Sequence, residues 1–294
     1  MTMMEKIIVN KKYDGKKLNK VIMSENLNIN YNTINKLLRK KDIKINGKRT
    51  NKDIIVYEND IIEIYIPYNP QEVKLDIVYE DENIIVVNKP INIEVAGEQS
   101  LTEFINKKYN NSFKIQPCHR IDRNTTGLVI FAKNKEALNI MLDKFKKHEI
   151  EKHYLALVYG VPRKNKEKIE AFLFKDNKKA RVYISDSLKK GYQKIVTLYN
   201  VIEKRKDNTT LLDVQIETGR THQIRVHLSQ IGYPIVGDST YSNGKNEWGI
   251  EGQCLHAKSL KFKHPITGKE MYIEAKLPQY YEELLRELEI YGRN

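Results

Sequence analysis

A single carboxylate, Asp122, sits in the run His119-Arg-Ile-Asp-Arg-Asn-Thr-Thr-Gly127, with Arg120 two residues before it, Arg123 directly after it, and Thr125 and Thr126 close behind. Two flanking guanidiniums would hold a carboxylate in place and keep it charged. Farther along, Tyr154 and the group Arg220, His222, Gln223 and Arg225 supply an aromatic hydroxyl and more cationic and polar side chains. Together these residues offer one nucleophile or base in a basic surround, with no cofactor required. From the residues alone, an ion-paired surface turn is the better reading of the Asp122 stretch, and a tyrosine of a sheet core the better reading of Tyr154.

Other chemistries lack their residues. The seven histidines are scattered, and His222 and His227 are spaced by five, poor for one helical face. No His-Glu-x-x-His, phosphate-binding glycine loop, G-x-G-x-x-G or G-x-S-x-G occurs. Cys118 and Cys254 belong to no C-x-x-C pair, so neither a disulfide framework nor a thiolate metal site is expected. That usage suits a reducing, cytoplasmic setting. No apolar run approaches a membrane span, and the N-terminus lacks an apolar leader.

Charge points to the partner. The 294 residues carry a net charge of +13, a balance suited to a polyanion, with nucleic acid first. The many Lys, Asn and Ile residues also fit an AT-rich coding bias. Residues 1–70 hold a net +6 and the remaining 224 a net +7, so the first stretch is far denser in positive charge. Between Lys36 and Lys52 there are eight basic residues and one acid, Asp42. Lys36, Arg39, Lys40, Lys48 and Arg49 are the candidate phosphate contacts there, although a solvated lysine face reads equally well.

The elements that must position these side chains divide into two regions, 1–70 and 71–294. In the first, a strand is expected at Met4–Val9 and a helix around Leu18, Val21 and Ile22. Tyr31, Ile34, Leu37 and Leu38 predict a second helix. Asn46-Gly47 marks a hairpin, and Ile61–Ile66 a strand. Pro67, Asn69 and Pro70 mark a linker. In the second region, strands are expected at Leu75–Tyr79 and Asn83–Val87, and a helix at Leu101–Tyr109. The strand Leu128–Ala132 follows the Asp122 loop, with Gly127 at the joint. Leu138, Met141, Leu142 and Phe145 predict a core-facing helix stripe. Further strands are expected at 152–160, 193–201, 210–217, 255–262 and 271–275, with a hairpin over 165–190. Helices are expected at His222–Gln230 and Pro278–Tyr291. Strands and helices do not alternate, so the class is α+β with a mainly antiparallel sheet.

The first region, with two short helices, Lys44-Ile-Asn-Gly-Lys48 and Glu58-Asn-Asp60, resembles the S4 RNA-binding domain, which implies an S4-like (alpha-L) fold that grips structured RNA. In the second, His119-Arg-Ile-Asp122-Arg-Asn-Thr-Thr-Gly127 closely resembles the signature H-R-L-D-x-x-T-S-G of the RluA family of RNA pseudouridine synthases. Further blocks resemble that family in order: Ile85-Val-Val-Asn-Lys89-Pro90, Lys152-His-Tyr154-Leu-Ala-Leu-Val-Tyr-Gly160, Gly219-Arg-Thr-His-Gln-Ile-Arg-Val-His-Leu228, Gly237-Asp-Ser-Thr-Tyr241 and Leu255-His-Ala257. The glycine usual after Lys-Pro is absent here, which alters the loop entering the cleft.

The resemblance implies an isomerase of RNA, free of metal and cofactor and monomeric by default. Its mixed, mainly antiparallel sheet would be flanked by helices and loops. It implies that Asp122 is the catalytic carboxylate, Arg225 its partner, and Tyr154 the residue stacked on the base. Arg120 would fill the gap left by a flipped nucleotide, and Arg123, Thr125, Arg220, His222 and Gln223 would contact RNA. Large-subunit (23S) ribosomal RNA is the expected substrate, with transfer RNA the alternative. A non-catalytic ribosome-assembly factor on the same fold and a metal-dependent hydrolase are the competing classes.

Overall fold

The computed structural model describes residues 2–25, 31–67, 74–109, 112–176, 181–243, 248–250 and 252–291. The chain divides into two compact units, Met1–Glu72 and Val73–Asn294. Of the expected linker residues, Pro67 instead ends a strand, where it pairs with Thr2; Asn69 and Pro70, the division expected between 70 and 71, and positions 177–180 of the 165–190 hairpin lie outside the described residues. So do 244–247 and 251 of the loop that follows Tyr241.

The first unit is built from β1 (Thr2–Ile8), β2 (Lys16–Lys17), α1 (Leu18–Ser24), α2 (Tyr31–Lys40), β3 (Ile43–Ile45), β4 (Lys48–Thr50), β5 (Ile55–Val56) and β6 (Ile61–Pro67). Four strands pair in the order β1-β6-β3-β4. Alternation places Ile43, Ile45, Ile62 and Ile64 on the covered face, where they meet Leu18, Val21 and Ile22 of α1 and Ile34, Leu37 and Leu38 of α2. Tyr31, expected in that stripe, is 53% exposed. The β3–β4 turn needs positive φ at both central residues, and Asn46 (φ 50°) and Gly47 (φ 78°) provide it.

The second unit contains β7 (Asp76–Glu80), β8 (Ile84–Lys89), α3 (Leu101–Lys108), β9 (Gln116–Pro117), β10 (Thr126–Ala132), α4 (Lys135–Lys146), β11 (Glu151–Tyr159), β12 (Lys166–Asp176) and β13 (Arg181–Ser185). It continues with β14 (Gln193–Lys204), β15 (Thr209–Ile216), α5 (Gln223–Gln230), β16 (Leu255–Lys263), β17 (Glu270–Glu274) and α6 (Gln279–Tyr291). One sheet runs β13-β12-β14-β15-β11-β16-β10-β8-β7, with β17 on β16 and β9 on β10. Among the described residues every pairing is antiparallel except β10 with β16. The short strand β9 carries no periodic signal and was not expected from the sequence.

All seven residues of β10 are buried. Leu128 and Ile130 pack with Ala137 and Met141 of α4. Each large side chain buried here contributes about 1.5–3 kcal/mol, so β10 is a firm anchor for the loop that precedes it. Leu142, expected in the α4 stripe, instead faces outward at 46% exposure. At the head of β10, Gly127 (φ 109°) lies so close to β16 that a Cβ would overlap the backbone of Ala257.

On the face of β11 opposite Tyr154, His153 bridges two acids, with Nδ1 2.9 Å from Asp213 and Nε2 2.9 Å from Glu151. Burial alone would lower its pKa, but the bonds to Glu151 and Asp213 outweigh burial and raise it. A folded-state pKa above the unfolded value of about 6.5 contributes stability that is complete below that pH and is lost as pH rises through the folded value. Denaturant titrations at stepped pH should therefore show a decline beginning near pH 6.5. Asp213→Asn should flatten that segment of the profile.

Candidate active site

The Asp122 loop, β11, α5 and the start of β16 enclose a cavity of about 400 Å³. Asp122 forms part of the wall, and the turn around it closes by a bond from the Thr125 N–H to the Asp122 carbonyl, 3.0 Å. Its carboxylate does not pair with the arginines beside it in sequence. Arg120 reaches toward Glu94 at 3.7 Å and is largely exposed, and Arg123 Nε donates to the Asn92 carbonyl at 3.3 Å. The charge partner comes instead from α5: Arg225 Nη1 donates to Asp122 Oδ2 at 3.1 Å.

Arg225 is buried and shared. Its Nε and Nη2 grip Asp238 at 2.7 and 2.9 Å, and Nη2 also reaches Thr240 at 3.2 Å. Asp238 accepts in addition from the backbone N–H groups of Thr240 and Tyr241, at 2.9 and 3.1 Å. Burial alone would lower the Arg225 pKa, but the two carboxylates raise it. His222 stands at the head of α5 in the left-handed region (φ 55°), with Nε2 3.9 Å from Asp122 and Nδ1 2.9 Å from the Tyr241 hydroxyl. Burial lowers its pKa and the Arg225 charge adds to that, while the Asp122 charge opposes both. Tyr154 lines the cavity at 7% exposure. Burial and the nearby Asp122 charge raise its pKa well above the usual phenol value.

Lys89 is the side chain that sequence reasoning passed over. It is fully buried, and its ammonium donates to the carbonyls of Pro90 (2.8 Å), Ile93 (2.9 Å) and Arg123 (2.9 Å). Burial pushes its pKa down to about 7, yet three acceptors call for three N–H donors, which only the charged form carries. Lys89 thus ties the residue after Asp122 to the loop after β8. The Lys-Pro pair at the end of an apolar strand was the signal that marked it.

Two residues expected to touch RNA are occupied internally. Gln223 is 3% exposed, and its amide bonds Val196, Thr197, Thr218 and the Arg220 N–H. Its bonding capacity is spent fixing the turn that presents Arg220. Thr125 is 2% exposed, and its hydroxyl accepts from Gln253 Nε2 at 2.6 Å. Both nonetheless line the cavity, as do Arg120, Arg220 and His222, whereas Arg123 does not. In the first unit, Lys36, Arg39, Lys40, Lys48 and Arg49 are exposed, and Arg49 folds back onto the Lys41 carbonyl (2.9 Å) and Asp42 (3.8 Å).

A lone carboxylate is ion-paired at the wall of a cavity, with a buried tyrosine beside it, on a large mixed sheet. The sequence model of the family described as RNA pseudouridylate synthase matches residues 83–230. The chain is 33% identical over 273 residues to ribosomal large subunit pseudouridine synthase C of Rickettsia bellii, covering 84% of this chain and 90% of that protein. It is 35% identical over 246 residues to ribosomal large subunit pseudouridine synthase D of Zymomonas mobilis, covering 76% of each. In fold, it is similar to the structure of human RNA pseudouridylate synthase domain containing 4, with a TM-score of 0.62 and 24% identity over 73% of this chain and 93% of that one. The chain belongs to the RNA pseudouridylate synthase family, of the RluA type, and is an isomerase whose substrate is RNA.

Removing one partner of a buried ion pair strands the other and costs about 3–5 kcal/mol. Asp238→Ala, which leaves Arg225 without its two-bond partner, should lower unfolding stability by about that amount in chemical denaturation.

Proposed function

We propose that Asp122 is the catalytic carboxylate of this isomerase. The supporting observation is the division of labour between its two oxygens. Oδ2 receives both Arg225 and, more distantly, His222, while Oδ1 makes no hydrogen bond or ion pair among the described residues. Asp122 is also the one carboxylate among the lining residues of the cavity. A uridine turned out of its RNA would meet that oxygen with the Tyr154 ring alongside. Extrusion of a base costs a few kcal/mol from a stem and less from a loop, and the exposed Arg120 at the rim is placed to occupy the vacated position. Breaking the N1–C1′ bond, turning the base and joining C5 to C1′ exchanges a C–N for a C–C bond, with a proton lost from C5 and one gained at N1. No metal or cofactor enters that balance.

The Asp122→Asn variant keeps the shape of the side chain and removes its charge. It should bind substrate RNA with near wild-type affinity and form no pseudouridine, as read by mass-shift labelling of the incubated RNA. Turnover at the wild-type rate would reject the assignment.

The preferred substrate is large-subunit ribosomal RNA, a reading supported by relatives named as ribosomal large subunit synthases C and D. The first unit serves as an S4-like RNA-binding arm, supported by the exposed cations at the end of α2 and on the β3–β4 hairpin. Each phosphate contact steepens the dependence of log affinity on log salt by about 0.7–0.9. Replacing Lys36, Arg39 and Lys40 together with Gln should raise KM for a structured ribosomal fragment, leave kcat unchanged, and flatten the salt dependence by roughly 2. An unchanged salt slope would remove the arm from RNA recognition.

A further inference from the structure

One end of the cavity holds a positive charge that the protein does not answer. Lys152 precedes Tyr154 by two residues on β11, so both side chains leave the same face of the strand and both line the cavity. Lys152 is only 6% exposed. Among the described residues its ammonium makes no hydrogen bond and no ion pair, and its Nζ stands 5.9 Å from the centroid of the Phe145 ring. The acids near it in sequence are engaged elsewhere: Glu151 with His153 on the opposite face, and Glu149 with Lys144. Asp122, the one carboxylate lining the cavity, is held by Arg225.

The surroundings of Lys152 carry donors and no anion. His119 stacks on Phe145 with ring centroids 4.6 Å apart, and its Nε2 accepts the backbone N–H of Ile130 at 3.0 Å. Burial, with the Lys152 charge, pushes the His119 pKa down to about 3, so the ring is neutral and its remaining proton sits on Nδ1. Lys146 and His148 close this end of the cavity and are exposed. The side chain is largely buried along the cavity wall, and its ammonium end has no counter-ion among the described residues. Such a residue makes sense where a ligand brings the anion.

We propose that Lys152 forms a phosphate subsite that receives the phosphodiester adjoining the uridine held at Asp122, so that the RNA supplies the missing counter-ion. This rests on the assignment of Asp122 as the catalytic carboxylate. Uracil is uncharged near neutral pH, and the phosphodiester is the only anion an RNA strand can place beside it. Lys152 is therefore a positioning residue: it sets where the strand enters, and the chemistry stays with Asp122.

Lys152→Met tests this, because it keeps the length and packing of the side chain without its charge. Its melting temperature should stay close to that of the wild type, since the charge removed has no partner among the described residues. Affinity for substrate RNA should fall roughly tenfold, with a salt slope shallower by about 0.7–0.9, and Lys152→Arg should restore the slope. A neutral methylphosphonate placed at the linkages flanking the target uridine should weaken wild-type binding at one linkage and have no further effect on Lys152→Met. An equal methylphosphonate penalty in both proteins would overturn the subsite, as would a destabilised Lys152→Met variant with a wild-type salt slope. Pseudouridine formation by the wild type and by Asp122→Asn, followed in the same RNA, separates the two assignments. Product from Asp122→Asn rejects the site itself. An active wild type whose binding is indifferent to Lys152 rejects only the subsite.

Discussion

The site depends on one guanidinium placed between two carboxylates. Asp238 takes the Nε and Nη2 edge of Arg225 in two bonds, and the plane of the group then aims Nη1 at Asp122. A lysine would carry the same charge without that geometry. Two acids facing one base leave the cluster one negative charge in excess, and His222 does not cancel it, because burial favours its neutral form. That excess faces the cavity, where Asp122 Oδ1 has no partner among the described residues. The scaffold behind it is α5, where every residue from Gln223 to Leu228 is buried, so the helix is held on all sides.

The Asp122 loop is fixed at both ends by different means. After Asp122 the chain passes into β10, whose apolar residues fill the core beneath α4. Beside it, Lys89 binds the carbonyl of Arg123 and two carbonyls of the loop after β8. A buried ammonium on three carbonyls is an expensive element on which to rest a loop, and removal of the lysine would leave all three acceptors unsatisfied. The two anchors fix the position of Asp122 against Arg225.

Periodicity made much of the fold readable, and the places where it failed have physical causes. The Asn46-Gly47 hairpin, the strand after Gly127 and the paired strands β14 and β15 follow directly from turn chemistry and alternation. The α4 stripe included Leu142 because hydrophobic type was taken for burial, yet an exposed leucine is common on protein surfaces. Gln223 and Thr125 looked like surface contacts because they sit among cations, but each is spent inside the protein. Most informative is the Asp122 turn. Its neighbouring arginines suggested a local ion pair, while the actual partner lies 103 residues onward. Composition and spacing cannot reveal that pairing. The resemblance of the Arg225 segment to a known family anticipated it, and the folded chain shows it.

Among the described residues the sheet contains a single parallel pairing, Thr126 with His256 and Gly127 with Ala257, at the start of β10 and β16. Parallel strands are entered from the same end. The residues just before the two paired positions, Thr125 and Leu255, therefore lie at the same end of the sheet, and both line the cavity. An antiparallel pairing of these two strands would send these residues to opposite ends and leave no shared wall. The ladder is short and is locked by backbone contact at Gly127, with Thr126 Oγ1 2.8 Å from His256 Nδ1. Side chains along a strand alternate between faces, so a slip of one residue here would turn Thr125 to the other side and draw Asp122 away from Arg225. The alignment of two residues in a sheet thus sets whether a carboxylate more than a hundred positions from its partner can meet it at all.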